Sequence, residues 1–144
     1  MLAAHFQGYC RGLHSAAVDF IAMNTRPSNV AAVLRGALTQ GRRLDTGNAN
    51  PDNLGADFGR LGMPSFWDDV GALDRRNRAR RTRLRELNEW RNAIAHHDFT
   101  RVGGRDRLHV TTVRAWRDAC DVLASFIDRA VASHLRRLVG SAPW

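Results

Sequence analysis

The stretch Val113–Leu138, VRAWRDACDVLASFIDRAVASHLRRL, decides the fold. Val113, Trp116, Cys120, Leu123, Ile127, Ala130 and His134 follow one another in alternating steps of three and four, the spacing of one α-helical face. Val131, Leu135 and Leu138 widen that stripe, so the spacing predicts a long amphipathic helix over about 112–139. The other end of the chain repeats the pattern. Leu2, Phe6, Tyr9, Leu13, Ala16 and Phe20 predict a matching helix over about 2–24.

Shorter pieces lie between these two. Pro27 and Ser28 open a helix over about 28–40 that carries Val30, Val33, Leu34 and Leu38. Residues 41–50 read as a loop, and Pro51, suited to a first helical position, starts a short helix through Phe58 and Leu61. Pro64 and Ser65 start the segment FWDDVGAL, and from about Asp74 a long helix runs to near His97. The loop TRVGGRDR follows, then a brief extended stretch, LHV, and the final tail SAPW reads as frayed. The expectation is an all-α fold, a single domain over 1–144 built as a bundle of four to five helices.

Composition sets the outer limits. At 144 residues, 44% hydrophobic and 25% charged, the chain has material for one sizeable core and not two. No apolar run approaches the roughly 18–20 residues that span a bilayer, so no membrane segment is expected. The first residues lack the basic cluster and unbroken apolar stretch of a signal peptide, and a reducing, cytoplasmic setting is the default. Cys10 and Cys120 sit on apolar stripes and read as small core residues rather than a disulfide framework. His5, His14, His109 and His134 share no ligand spacing, so no metal and no cofactor are expected. The 22 basic residues outnumber 14 acidic ones for a net +8, and all of them are arginine. Codon bias accounts for such a preference, yet guanidinium remains a planar fork that pairs with phosphate. A cationic surface of this kind is drawn to polyanions.

The segment that carries chemistry is LNEWRNAIAHHDF, positions 87–99. On a helix Asn92 and His96 are four apart and share a face, while Arg91 lies roughly 140° from His96. Arg91 falls near the sector of Leu84, Leu87 and Ile94, as Arg80 and Arg83 do further up. From spacing alone, the residues fit better a helix-terminal histidine with an arginine paired to a carboxylate such as Glu86 or Asp98.

Arg91-Asn92-x-x-x-His96, near the end of a long helix in a small α-bundle, resembles the HEPN superfamily (higher eukaryotes and prokaryotes nucleotide-binding). The setting Leu87, Trp90, Ile94 adds to the likeness, as do AAVDFIA in the first helix and TTVRAWRDACDVLA in the last, which look like the RiboL-PSP subgroup. The resemblance implies a HEPN-like fold and a metal-independent endoribonuclease, working as a homodimer with its two motif helices face to face. It implies His96 as general acid or base, Arg91 on the scissile phosphate, and Asn92 orienting the imidazole or the ribose. RNA is then the partner, with a cognate antitoxin protein in a toxin–antitoxin or phage-defence setting. Where related toxins carry a modifiable tyrosine two positions after the histidine, this chain has Asp98, and its single tyrosine is Tyr9. The competing readings are a non-catalytic HEPN-like module that binds RNA, nucleotide or protein, and a helical dimerisation domain.

The run DRRNRARRTRLRE holds seven arginines, which scatter around the whole helix at 100° per residue. Arg78, Arg81 and Arg85, with His97, are the candidates for contact with RNA phosphates on the approach to Arg91. The alternative is a solvated helix start and a solvated helix end.

Overall fold

The computed structural model describes residues 1–104 and 107–144. Among them the helices are α1 (Leu2–Met23), α2 (Val30–Thr39), α3 (Arg43–Thr46), α4 (Pro51–Gly59), α5 (Phe66–Leu73), α6 (Asn77–His96) and α7 (Val110–Val139). A single 3₁₀ turn, Thr100–Val102, stands between the last two, and no strand occurs among the described residues. The fold is all-α. Seven helices replace the expected four to five because the short elements α3, α4 and α5 count beside the four long ones.

α7 is the spine, packed against α6, α1 and α5. Its buried residues Trp116, Cys120, Leu123, Ile127, Ala130, Val131 and Leu135 follow the expected stripe. They meet Phe6, Cys10, Leu13, Ala17 and Val18 of α1, together with Leu54, Phe58, Phe66, Leu84 and Leu87, in one continuous core. Phe58 stacks on Phe66 with ring centroids 4.7 Å apart, and Trp90 meets Trp116 at 6.3 Å. No helix among the described residues is long and apolar enough to cross a membrane.

Three expectations change on contact with the structure. The buried face of α1 is rotated, so that Cys10, His14 and Ala17 point inward while Tyr9 and Ala16 lie exposed. α1 is flanked by α3 and α4 as well as by α7, and the side facing α3 and α4 is filled by a polar residue, His14. Within the loop of residues 41–50, α3 forms because the Asp57 carboxylate of α4 accepts from the Arg43 and Leu44 N–H groups at 2.9 and 2.8 Å. A helix start is thereby satisfied from another element. Finally, Val110 of the stretch LHV already belongs to α7, and Trp144 at the chain end lines a cavity with Leu73 and Arg129. The Arg105 and Asp106 part of the loop TRVGGRDR lies outside the described residues.

Local capping elsewhere follows the sequence. The Asn50 side chain accepts from the Asp52 and Asn53 N–H groups, and Pro51 occupies the first turn of α4. The long helix begins at Asn77, three residues after Asp74, because the Asp74 carboxylate takes the Arg76 N–H and one Arg80 guanidinium instead.

Candidate active site

α6 positions the site. Its buried residues Leu84, Leu87, Asn88, Trp90 and Ala93 end at Ala93, so its last turn runs on beyond the core. Ile94 and His96 on that turn are exposed, as is Arg91 just before Ala93. The helix stops in a Schellman cap, with the Asp98 N–H donating to the Ala93 carbonyl at 3.0 Å and His97 at φ 51°. Histidine is among the few non-glycine residues that adopt this left-handed conformation with any frequency.

The cap reverses the chain. Phe99 then lies edge-on to Trp90 at 6.3 Å, and Val102 is buried, which anchors the 3₁₀ turn. Arg101 is carried back beside the end of α6. An open cavity of about 330 Å³ results, lined by Asn92, Ala93, His96, Asp98 and Arg101.

Asn92 is the most constrained side chain there. Its Oδ1 accepts from Asn48 Nδ2 at 2.8 Å and from Arg91 Nη1 at 3.2 Å. With the carbonyl taken twice, its Nδ2 has no protein acceptor among the described residues and stands as a free donor. Among the described residues Asn92 makes no hydrogen bond to His96.

Asn48 is itself held from behind. Its backbone carbonyl accepts from Asn53 Nδ2 at 2.8 Å, and Gln7 of α1 donates to the Leu44 and Gly47 carbonyls at 2.9 and 2.7 Å. A side chain at Gly47 would put its Cβ 2.9 Å from Asn53 Nδ2 and 3.2 Å from the Arg43 carbonyl oxygen. The turn packs this closely only with glycine.

The carboxylates expected to neutralise Arg91 are engaged elsewhere. Asp98 Oδ1 accepts from the Thr100 N–H at 3.1 Å and hydroxyl at 2.6 Å. The Thr100 hydroxyl, then its N–H, holds the Asp98 carboxyl below the usual range, with Arg101 and His96 adding to the effect. Glu86 accepts from the Trp116 indole at 3.3 Å. Among the described residues Arg91 has no ion-pair partner, and its guanidinium donates a hydrogen bond only to the Asn92 carbonyl oxygen. The cavity lining thus presents one imidazole, one guanidinium group, one amide donor and the Asp98 carboxylate, and Arg91 adds a second guanidinium through its bond to Asn92; the cations and donor suit a phosphodiester.

Arg78, Arg81 and Arg85 fall elsewhere. They line a second open cavity of about 350 Å³ with Trp67, Asp68, Asn77 and Thr82. His97 sits exposed on the cap and lines neither cavity. No group of three or more His, Cys, Asp or Glu able to hold a metal occurs among the described residues.

Asn48 and Arg101 are the residues that the sequence did not reveal. Asn48 belongs to a loop whose asparagines read as turn formers, and Arg101 reaches the site only through the left-handed cap at His97. Compared with known family models, curated proteins and solved structures, the chain matches none.

Proposed function

We propose that this chain is a metal-independent endoribonuclease with a HEPN-like fold, cutting RNA in the cytoplasm as a homodimer. The observation that carries this reading is the pairing of Arg91 with Asn92, which shares a cavity with the exposed His96 at the end of α6. In the reaction the ribose 2′-oxygen attacks the neighbouring phosphorus and the bond from phosphorus to the 5′-oxygen breaks, leaving a 2′,3′-cyclic phosphate. One imidazole accepts the 2′-hydroxyl proton and another supplies a proton to the departing 5′-oxygen. Two copies of His96, one from each protomer, divide these roles. Arg91 and Arg101 stabilise the charge that grows on phosphorus-bound oxygen, and the free Asn92 Nδ2 donates to the same group.

Support for the homodimer comes from apolar side chains left open around the motif. Ile94 is 52% exposed and Val110 66% exposed, and both lie at the end of the bundle where α6 finishes and α7 begins. A toxin–antitoxin or phage-defence setting, with a cognate antitoxin covering this same end, is part of the proposal.

The test is cleavage of labelled total RNA and tRNA in excess EDTA by the protein and its Arg91→Ala and His96→Ala variants. Cyclic phosphate ends, with activity lower by about 10²–10⁴ in folded His96→Ala, support the reading. Intact RNA at high enzyme concentration in all three replaces it with the non-catalytic binding module.

A further inference from the structure

The second cavity is built. Arg81 lies over the Trp67 ring with its guanidinium carbon 5.1 Å from the centroid, and the Trp67 indole N–H is fixed on the Pro51 carbonyl at 2.7 Å. Arg78 is exposed beside it and has no carboxylate partner among the described residues. Arg85 reaches Asp52 only loosely, at 3.7 Å with both side chains more than half exposed. Against these three cations the lining holds one carboxylate, Asp68. By contrast Arg80, on another side of α6, is tied to Asp74 and Asn77 at 2.8 and 2.7 Å and lies over Phe126. Neighbouring arginines on one helix are thus sorted into a fixed one and an available set.

The available set has a direction. With about 100° of rotation per residue, Arg78, Arg81, Arg85, Asn92 and His96 all fall within an arc of about 60° around α6. The arginine cavity and the His96 cavity therefore lie on one face of one helix. Arg78 and His96 are separated by roughly 27 Å along the axis. Between them the segment Asn48–Asp52 runs along the same face in the opposite direction, bonded at Asn92 through Asn48, at Asn88 through the Ala49 carbonyl, and at Arg85 through Asp52. In it Asn48 and Asn50 are half-buried and hydrogen-bonded, and the exposed residue is Asp52, whose carboxylate faces Arg85.

Resting on the ribonuclease reading, we infer that the Trp67–Arg78–Arg81–Arg85 cavity is a remote phosphate subsite for the strand cut at His96. The substrate is then single-stranded RNA that runs along this face of α6 past the segment Asn48–Asp52, where Arg85 offsets the Asp52 charge. About 27 Å corresponds to about four to five extended nucleotides, within the roughly 4–16 that a single-strand site covers. Trp67 is already covered by Arg81, so the subsite grips phosphate without reading the base, and it adds affinity without adding sequence preference.

The experiment measures binding separately from cleavage. Fully 2′-O-methylated oligouridylates of two to twelve nucleotides, labelled with fluorescein, are titrated with the full chain by anisotropy at several salt concentrations. Affinity is expected to rise sharply between about four and eight nucleotides and then level off. In the double variant Arg78→Ala/Arg81→Ala that rise disappears, and the salt slope falls by about 1.4, at ~0.7 per phosphate contact on a single strand. Arg136→Ala/Arg137→Ala, which removes equal charge from side chains of α7 that do not line this cavity, leaves both unchanged. An equal loss in the two double variants overturns the inference in favour of general cationic attraction. Uridine monophosphate or inorganic phosphate binding as tightly as the long strand overturns it in favour of a site for free phosphates. Because the probes cannot be cut, a protein that shows the length step yet cleaves nothing loses the ribonuclease reading and keeps the subsite. One that cleaves dinucleotides as efficiently as long RNA keeps the former and loses the latter.

Discussion

Asn48 donates from Nδ2 to Oδ1 of Asn92 at 2.8 Å, across 44 positions of sequence. This bond decides which end of the Asn92 amide meets a ligand. An Asn48→Ala variant loses an interaction worth about 0.5–1.5 kcal/mol, or roughly two- to thirteenfold in turnover. Asn48→Asp sets a carboxylate against the Asn92 carbonyl and turns the amide round, so its loss is larger although the protein melts at the same temperature. Steady-state rates on a labelled RNA, compared with melting temperatures, separate this positioning role from a structural one.

Arg91 and His96 stand clear of the core, so replacing either with alanine changes stability by no more than about 0.5 kcal/mol. Urea unfolding of the two variants beside the native chain checks this. A drop of several kcal/mol in either would mean that the end of α6 is packed and not free.

Gly47→Ala leaves the backbone unstrained, since φ there is −128°, yet its Cβ meets the Arg43 carbonyl oxygen, which cannot swing aside. The variant is expected to lose about 1–3 kcal/mol by overpacking. It should also lose activity beyond what its remaining folded fraction explains, because the displaced turn carries Asn48.

His14 makes stability depend on pH. It is fully buried, with Nε2 facing the Asp57 carbonyl at 3.1 Å and Nδ1 facing the Arg42 guanidinium at 3.4 Å. A carbonyl can only accept, so Nε2 carries the proton and Nδ1 accepts from Arg42. Burial, then the Arg42 charge, pushes the imidazole below its ordinary 6.5 despite the opposing pull of Asp57. The unfolded chain therefore takes up a proton first as pH falls. Stability from neutral His14 is complete above about 6.5 and drains away as pH drops from there through the lowered folded value. Asp45, held below its usual 3.8 chiefly by the Arg42 guanidinium, contributes above 3.8 and is lost on further acidification. Urea midpoints from pH 7.5 to 4.5 should fall in the native chain and stay flat over that window in His14→Gln.

Burial raises both thiols. Cys120 is pushed up to about 12 and Cys10 higher still, so neither carries appreciable thiolate at neutral pH. A thiol reagent at pH 8 should leave the folded chain unlabelled, with modification appearing at the rate of unfolding. Rapid labelling without urea would contradict this burial.

The helical frame was legible because α7 carries an unbroken periodic stripe whose buried members match the pattern from Trp116 to Leu135, whereas on α6 Leu84 and Leu87 are buried and Ile94 of the same sector is exposed. α1 was legible as a helix but not in its orientation. Cys10 and Tyr9 both suit an apolar face, and only the arrival of α3 against His14 decides between them. α3 was invisible because its N–H groups are satisfied by Asp57, which the sequence places on a different element. At the site, the spacing of Asn92 and His96 was enough to put them on one face. The common face of Arg78, Arg81 and Arg85 was hidden by the other arginines of the run, which scatter around the helix. Arg101 was out of reach of any periodicity, since a left-handed residue and a ring contact bring it back.

α6 is two objects joined end to end. From Asn77 to Ala93 it is held by the core, and from Ile94 to the cap at His97 it is held by the Schellman bonds and the ring of Phe99. Amide protons in the first part exchange only when the whole bundle opens, whereas those of the last turn exchange through a local fraying that leaves the bundle closed. His96 therefore sits on a segment able to reshape itself around a strand without disturbing the fold, while Arg91 and Asn92 stay on the part that the core holds. Residues there can be exchanged one after another while the protein continues to fold, so the scaffold and its activity are separately adjustable.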